Sequence, residues 1–205
     1  ANSLSDDGGT AANGGTISLV TANGSINTRN LWSDSRSNSG DAGNGGAITL
    51  NAANGINITG NLFSYSQSVD GNAGNGGDIS LSAANDITIT GGLDSYSWSD
   101  SGNAGNGGDI SLSATNGNIS TNTLNSRARS VSSGNTGNAG NIRIESGDGI
   151  NIRGLLLSDS WSSSGNAANG GNINLSAAND ITIDDDAYAN SLSDDGGTAA
   201  NGGTI

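Results

Sequence analysis

Residues 71–101 read GNAGNGGDISLSAANDITITGGLDSYSWSDS. They hold a loop of Gly and Asn, an I-x-L triplet, a small-residue corner, an I-x-I triplet, and a serine run in which Tyr96 and Trp98 alternate with Ser95, Ser97 and Ser99. Alternation at period two with β-branched residues marks strands, Gly-Asn punctuation marks turns, and nothing in the unit has a helical period. The loop returns as GTAANGG at 9, GDAGNGG at 40, GNAGNGG at 102, GNTGNAG at 134, GNAANGG at 165 and GTAANGG at 197. Successive starts therefore lie 31, 31, 31, 32, 31 and 32 residues apart. A period of this size marks a solenoid, propeller or array. The simplest folding of one unit is one coil of a parallel β-helix.

The expected fold is thus an all-β, right-handed parallel β-helix, with three strands per coil, about 31 residues per coil and roughly six and a half coils, forming a single repeat region over residues 1–205. Right-handed winding is expected because parallel crossovers favour it, and because a 31-residue unit does not fit the six-residue sub-repeat of left-handed helices. Coils stacked ~4.8 Å apart would make a rod about 30 Å long. Ile48, Ile79 and Ile110, each followed two residues later by Leu, begin the first apolar ladder. Pairs such as Ile56 and Ile58 or Ile87 and Ile89 form the second, and Leu31, Leu62, Leu93, Leu124 and Leu156 start the third. Ile26 with Thr28, and Ile119 with Thr121, are displaced by one position, which predicts a local shift at that corner. Asn13, Asn44, Asn75, Asn106, Asn138, Asn169 and Asn201 recur at one loop position and read as a ladder of corner-making residues that tolerate left-handed backbone.

Composition narrows function by removing side chains. The chain has no Cys and no His, which excludes imidazole and thiol catalysis, disulfides and ordinary zinc sites. Metal binding is reduced to oxygen ligands, with Asp78 above Asp109 as a place for calcium; no cofactor is expected. Six Arg against nineteen acidic residues, for a net charge of −13, do not make a nucleic-acid surface. No apolar run reaches the length of a membrane span, and residues 1–10, ANSLSDDGGT, do not read as a signal peptide, so the chain reads as an excerpt of a longer array. Residues 1–17 recur unchanged as 189–205, an offset of six coils. That identity predicts a higher-order repeat or a deliberate overlap, with the rod continuing within one chain or between subunits of a filament.

The serine run decides the candidate site. Ser33, Ser35 and Ser37 match Ser64, Ser66 and Ser68, Ser95, Ser97 and Ser99, and Ser158, Ser160 and Ser162, whereas the alternating positions vary freely between coils. A packed interior constrains every coil alike and a surface does not, so the serines are expected inside. Trp32, Phe63, Tyr65, Tyr96, Trp98, Trp161 and Tyr188 then share one exterior face with Arg36, Arg127 and Arg129. Clustered exterior aromatics mark an interaction surface, here for a neighbouring rod or a sugar ring. The competing reading is that they stack on one another and shield the serine seam. On the first reading, replacing Tyr96 and Trp98 with Ser leaves folding nearly intact and weakens association.

The style of the repeat, GN-x-GN-x-G, I-x-L and N-x-I-x-I, resembles the repeats of the filamentous-haemagglutinin-like large exoproteins of bacteria, which use two-partner secretion. The resemblance spans residues 1–205 and implies a right-handed β-helical shaft, secretion to the cell surface, and a role in adhesion, aggregation or fibres. The partners expected are other copies of the rod and a glycan or cell-surface ligand, without membrane insertion. Rival readings are a carbohydrate-binding module, an ice-binding face, and a polysaccharide-active β-helix enzyme using Asp184, Asp185 and Asp186. The second-strand exterior, with Asn57, Thr88, Asn151 and Thr182, lacks the regular Thr array expected for ice binding. No loop departs from the repeat to build a cleft, so no catalytic residue is assigned.

Overall fold

In the computed structural model, which describes residues 1–6 and 8–205, the repeat closes into coils stacked in parallel, each offset from the next by one unit of sequence. Four sheets run the length of the stack, three of six strands and one of seven. The longest strands, such as Ile79–Ala83, pair in register with the unit before and after: Ile79 lies between Ile48 and Ile110, and Leu81 between Leu50 and Leu112. A corner turns the chain into Ile87–Ile89, and a second corner into Leu93–Asp94. Ile79, Leu81, Ile87, Ile89 and Leu93 converge on one apolar lobe in each coil and are essentially excluded from solvent. A single unit has no second layer to cover these side chains, so burial depends on the coils above and below.

Where three strands per coil were expected, there are four. The serine run does not continue the strand begun by Leu93: Ser97–Ser99 belongs to a separate, seven-stranded sheet, with Ser95 and Tyr96 between the two. The cause lies in one carbonyl group. Ser95 donates its amide to Asn125 of the next coil at 2.8 Å, but its carbonyl leaves the ladder and accepts the Gly108 amide across the interior at 2.6 Å. The same swap joins Ser64 to Gly77 and Ser33 to Gly46, so the chain creases at this point in successive coils.

The expected shift at the first corner is present. Ile119 pairs with Ile87 and Ile26 with Ile56, and register is recovered by Leu124 against Leu93 and Leu31 against Leu62. The longer first corner is offset by a shorter second one. Thr121 thereby occupies an isoleucine position opposite Ile152, buried, with a hydroxyl that has no hydrogen-bond partner. Thr121→Val removes that unpaired group while keeping the β-branched shape. It is expected to stabilise the fold by about 1 kcal/mol in denaturant unfolding followed by circular dichroism.

The Gly-Asn loops are as ordered as the strands. Ala73 bridges Ala42 and Ala104, and Gly74 and Gly76 donate their amides to neighbouring loops at 2.9 and 2.8 Å. The asparagine ladder is complete from Asn13 to Asn201, the Oδ1 of each accepting the backbone amide of the next at 2.8 to 3.2 Å. These residues do not act through left-handed backbone, as expected from their type. Among the described residues, positive φ occurs at Gly8 and Gly196 alone. Their contribution is a side-chain acceptor placed one coil ahead of an amide that the ladder leaves free.

Candidate interaction face

Opposite the apolar lobe, each coil has a second, polar lobe. It consists of the serine strand on one side and the Gly loop on the other. Ser95 Oγ donates to the Gly77 carbonyl, Ser97 Oγ to Gly74 at 2.7 Å and Ser99 Oγ to Gly71 at 2.7 Å, so strand and loop are joined rung by rung. Ser99 also accepts the amide of Gly102 at 2.7 Å, which ties it to both the preceding and the following loop. Ser37, Ser68 and Ser162 repeat this double bond. Hydroxyls are the shortest side chains able to span this gap, and glycines leave their carbonyls within reach. The inward serines have no solvent exposure in the central coils, which places the alternating residues on the outer surface.

Three outward columns result, and strand register fixes their membership. Trp32, Phe63, Asp94, Asn125, Leu157 and Tyr188 lie in one line. Arg36, Gln67, Trp98, Arg129, Trp161 and Leu192 lie in another. Between them, along the crease, run Asp34, Tyr65, Tyr96, Arg127 and Asp159. A crease is concave on its outer side, so its column is the most buried of the three.

The aromatic residues therefore touch one another more than they touch solvent. Trp32 and Phe63 have centroids 4.6 Å apart, Phe63 and Tyr65 meet edge-on at 5.8 Å, Tyr65 and Tyr96 stack nearly parallel at 4.5 Å, and Tyr96 meets Trp98 at 6.2 Å. Tyr65, expected on an open surface, is only 6% exposed. Trp32 and Tyr188 remain open, at 40% and 39%. Phe63, Tyr96, Trp98, Trp161, Arg127 and Arg129 are half-buried. The face is thus largely self-covered, in the manner of the shielding reading, with open rings near its two ends.

Its charges are held by the rings. Arg129 lies between Trp98 and Trp161, 4.4 Å from each centroid, and Arg36 lies over Trp32 and Tyr65 at 5.4 and 5.5 Å. Arg36 also donates from Nε to Asp34 at 2.6 Å; Asp34 has no solvent exposure, and its second oxygen has no partner. Burial works against the charge of Arg36, and the hydrogen bond it donates to Asp34, with the neighbouring groups, outweighs it. In Arg129 burial wins, aided by repulsion from Arg127, and its guanidinium holds its proton less tightly than usual. Arg127 approaches Asp159 at 3.9 Å, and Asn125 accepts from Arg127 Nε at 3.2 Å. Burial also pushes the Tyr96 hydroxyl above its ordinary range.

Sequence reasoning found the rings and the arginines but missed their carboxylate partners. Asp94 and Asp159 occupy the same outward positions as aromatics in other coils, and that alignment was the available signal. Burial raises the pKa of both, against the pull of Asn125 and Arg127 on Asp94 and of Arg127 on Asp159. A carboxylate raised above its unfolded value stabilises the fold when protonated, and this contribution is lost as pH rises through the raised value. Asp94→Asn keeps an acceptor for Asn125 and removes the buried charge. The variant is expected to have a higher Tm than the parent at pH 7. The gain should shrink as pH falls toward the ordinary aspartate value and vanish by about pH 3, where the parent carboxyl is neutral in both states.

The other expected sites have structural partners. Asp78 Oδ1 accepts the Asp109 amide at 2.9 Å, and Asp109 Oδ1 accepts that of Asn141 at 2.7 Å, so the pair considered for calcium belongs to a backbone ladder. Among the described residues there is no group of three or more carboxylates close enough to hold a metal ion. Asp186 accepts the Tyr188 hydroxyl at 2.9 Å, and Asp185 accepts the Asp186 amide at 2.9 Å. A shallow groove lies beside this pair, lined by Arg127, Leu157, Asp159, Tyr188, Asn190 and Leu192. No helix among the described residues is long and apolar enough to cross a membrane. No protein-family model matches the chain, and no curated protein or solved structure matches it either. The chain is an all-β parallel solenoid of about six turns and about 31 residues per turn.

Proposed function

We propose that this chain is a shaft segment of a secreted or cell-surface fibre or adhesin, a right-handed β-helix of the filamentous-haemagglutinin-like kind. The observation that carries this reading is that the strands of each coil pair in register with those of the neighbouring coils, and the Gly-Asn loops are bonded from coil to coil in the same way. The chemistry of the molecule is spent on length and stiffness. The repeat style quoted above supports the family and the secretion route by analogy alone. The outer aromatic and arginine columns then provide lateral or ligand contact at the rings left open, Trp32 and Tyr188.

Cryo-electron microscopy of the native material tests the reading. Continuous fibres with an axial spacing of ~4.8 Å and right-handed density are the expected result. Short isolated particles at the cell surface would overturn the fibre reading.

The groove beside Tyr188 supports a second reading, a carbohydrate-binding module. It sets an exposed ring beside Arg127, Asn190 and Asp159, whose Oδ1 is buried with no hydrogen bond, its nearest charge being Arg127 at 3.9 Å. Quenching or enhancement of tryptophan fluorescence by acidic and neutral oligosaccharides, abolished in Tyr188→Ala, is the expected signature of that reading.

A further inference from the structure

Asn-Gly pairs occur in the chain at 13, 23, 44, 54, 75, 106, 116, 169 and 201. Such a pair readily loses its side-chain amide, because a following residue without Cβ lets its backbone nitrogen reach the Asn Cγ. The fold gives identical dipeptides different fates. In the loop pair Asn75–Gly76, one residue of the next coil holds both reacting groups: Asn106 donates its amide to Asn75 Oδ1 at 2.8 Å, and its carbonyl accepts the Gly76 amide at 2.8 Å. Asn75 clamps Asn44–Gly45 in the same way, Asn138 clamps Asn106–Gly107, and Asn201 clamps Asn169–Gly170. At the corner pair Asn54–Gly55, Ser25 Oγ accepts the Gly55 amide at 3.3 Å and Asn85 Nδ2 donates to Asn54 Oδ1.

Asn116–Gly117 has no such clamp. It lies at the corner where one coil has a residue more than the coil beneath: Ala83 and Ile87 enclose three residues, whereas their partners Ala114 and Ile119 enclose four. The Asn116 amide donates to the Ala84 carbonyl at 2.8 Å and the Asn118 amide to Asp86 Oδ1 at 2.8 Å, but the Gly117 amide between them has no acceptor among the described residues. An extra residue in a bulge is left unpaired in this way. The Asn116 side chain is exposed and makes no hydrogen bond among the described residues. Packing also keeps glycine next to it, since a Cβ at Gly117 would lie 2.5 Å from the Asn85 carbonyl carbon and 2.5 Å from the Asp86 nitrogen. The corner therefore demands a glycine after an unrestrained asparagine.

We propose that Asn116 is a modification site, deamidating spontaneously while the clamped loop asparagines are protected. The Gly117 nitrogen gives up its proton to solvent base and attacks Asn116 Cγ. A bond forms between Gly117 N and Asn116 Cγ, the Cγ–Nδ2 bond breaks, and ammonia leaves with a proton from water. One water then opens the five-membered succinimide at either carbonyl, giving aspartate or isoaspartate. The balance is one water taken up and one ammonia released, with no oxidant, metal or cofactor. The product places a further carboxylate in a corner that already holds Asp86 and Asp148, which accept from Asn118 at 2.8 and 3.0 Å. In the isoaspartyl form the main chain is also one carbon longer at the residue whose amide seats this corner on Ala84.

The experiment is peptide mapping by mass spectrometry of the full 205-residue chain during incubation in mildly alkaline buffer, in the native state and in guanidinium. The comparison is confined to pairs with a coil on both sides, which sets aside Asn13, Asn23 and Asn201. In the native chain Asn116 is expected to convert about tenfold or more faster than Asn44, Asn75, Asn106 and Asn169, because each of those must first open its clamp. In guanidinium, where the clamps are gone, the same pairs should convert at similar rates. Isoaspartyl methyltransferase should label the native, aged chain at residue 116 and leave the four loop positions unlabelled. Equal rates in the native state, loop asparagines that convert before Asn116, or a preference for Asn116 that persists unchanged in guanidinium would each overturn the proposal.

Discussion

Gly77→Val is expected to lower the stability of the whole stack by about 3 kcal/mol or more, and to leave much of the chain soluble but without cooperative unfolding. A Cβ at Gly77 would lie 2.5 Å from the Gly46 carbonyl oxygen, 2.6 Å from Ser64 Oγ and 2.7 Å from the Gly45 carbonyl oxygen. Two of these atoms are backbone, and the third belongs to a serine with no solvent exposure, so none can swing away. The position is Gly in all seven loops, at 15, 46, 77, 108, 140, 171 and 203. By contrast, the position of Gly74 is Ala12, Ala168 and Ala200 elsewhere in the chain. The check is guanidinium unfolding of Gly77→Val beside Gly24→Ala, where an added Cβ meets nothing within 4 Å. A large loss for the first with a small one for the second is expected; equal losses would mean that the loops are held less closely than the distances indicate.

The double substitution of Tyr96 and Trp98 by Ser is expected to cost about 3 to 5 kcal/mol, so the outcome anticipated from sequence, near-intact folding, is revised. Both rings do point away from the inward serines. Yet Tyr96 stacks on Tyr65 at 4.5 Å, and Trp98 covers Arg129 at 4.4 Å while its Nε1 donates to Asp100 at 2.6 Å. Their loss would also uncover Asp94 and the crease beneath. Tyr96→Ser alone should carry the larger share, because Tyr96 lies in the crease column and stacks face to face on the buried Tyr65. Thermal unfolding of the two single variants and the double variant checks this, with strong coupling expected between the two sites. A double variant as stable as its parent would return the face to the role of an open contact surface.

Much of this architecture was legible in the chain. The interval of 31 residues, the alternating Ile-x-Leu and Ile-x-Ile triplets and the absence of any helical pattern are local features, and local features set strand and turn. The inward direction of the serines was also legible, because a packed interior restricts every coil in the same way. The corner shift at Ile119 could be predicted by counting residues. The fourth sheet could not: it depends on the Ser95 carbonyl choosing Gly108 over its neighbouring strand, a pairing across the interior that no local pattern encodes. The open character of the aromatic face was likewise misjudged. Alternation tells which side a ring is on, but the crease that folds Tyr65 and Tyr96 together is a property of two sheets meeting.

By itself, then, the sequence determined the coil, its period, its inward ladders and the side of the rod that bears every aromatic residue, because each follows from spacing along one strand. Only the tertiary structure decided that the Gly loops and serines form a second, hydrogen-bonded lobe, that the asparagines act through Oδ1 and not through left-handed turns, and that the rings enclose their arginines. Those outcomes depend on distances between residues about 18 to 31 positions apart, such as Ser95 with Gly77 and Asn75 with Asn44. Such distances are set only when a coil closes across its interior and its neighbours stack on it, and no single strand contains them.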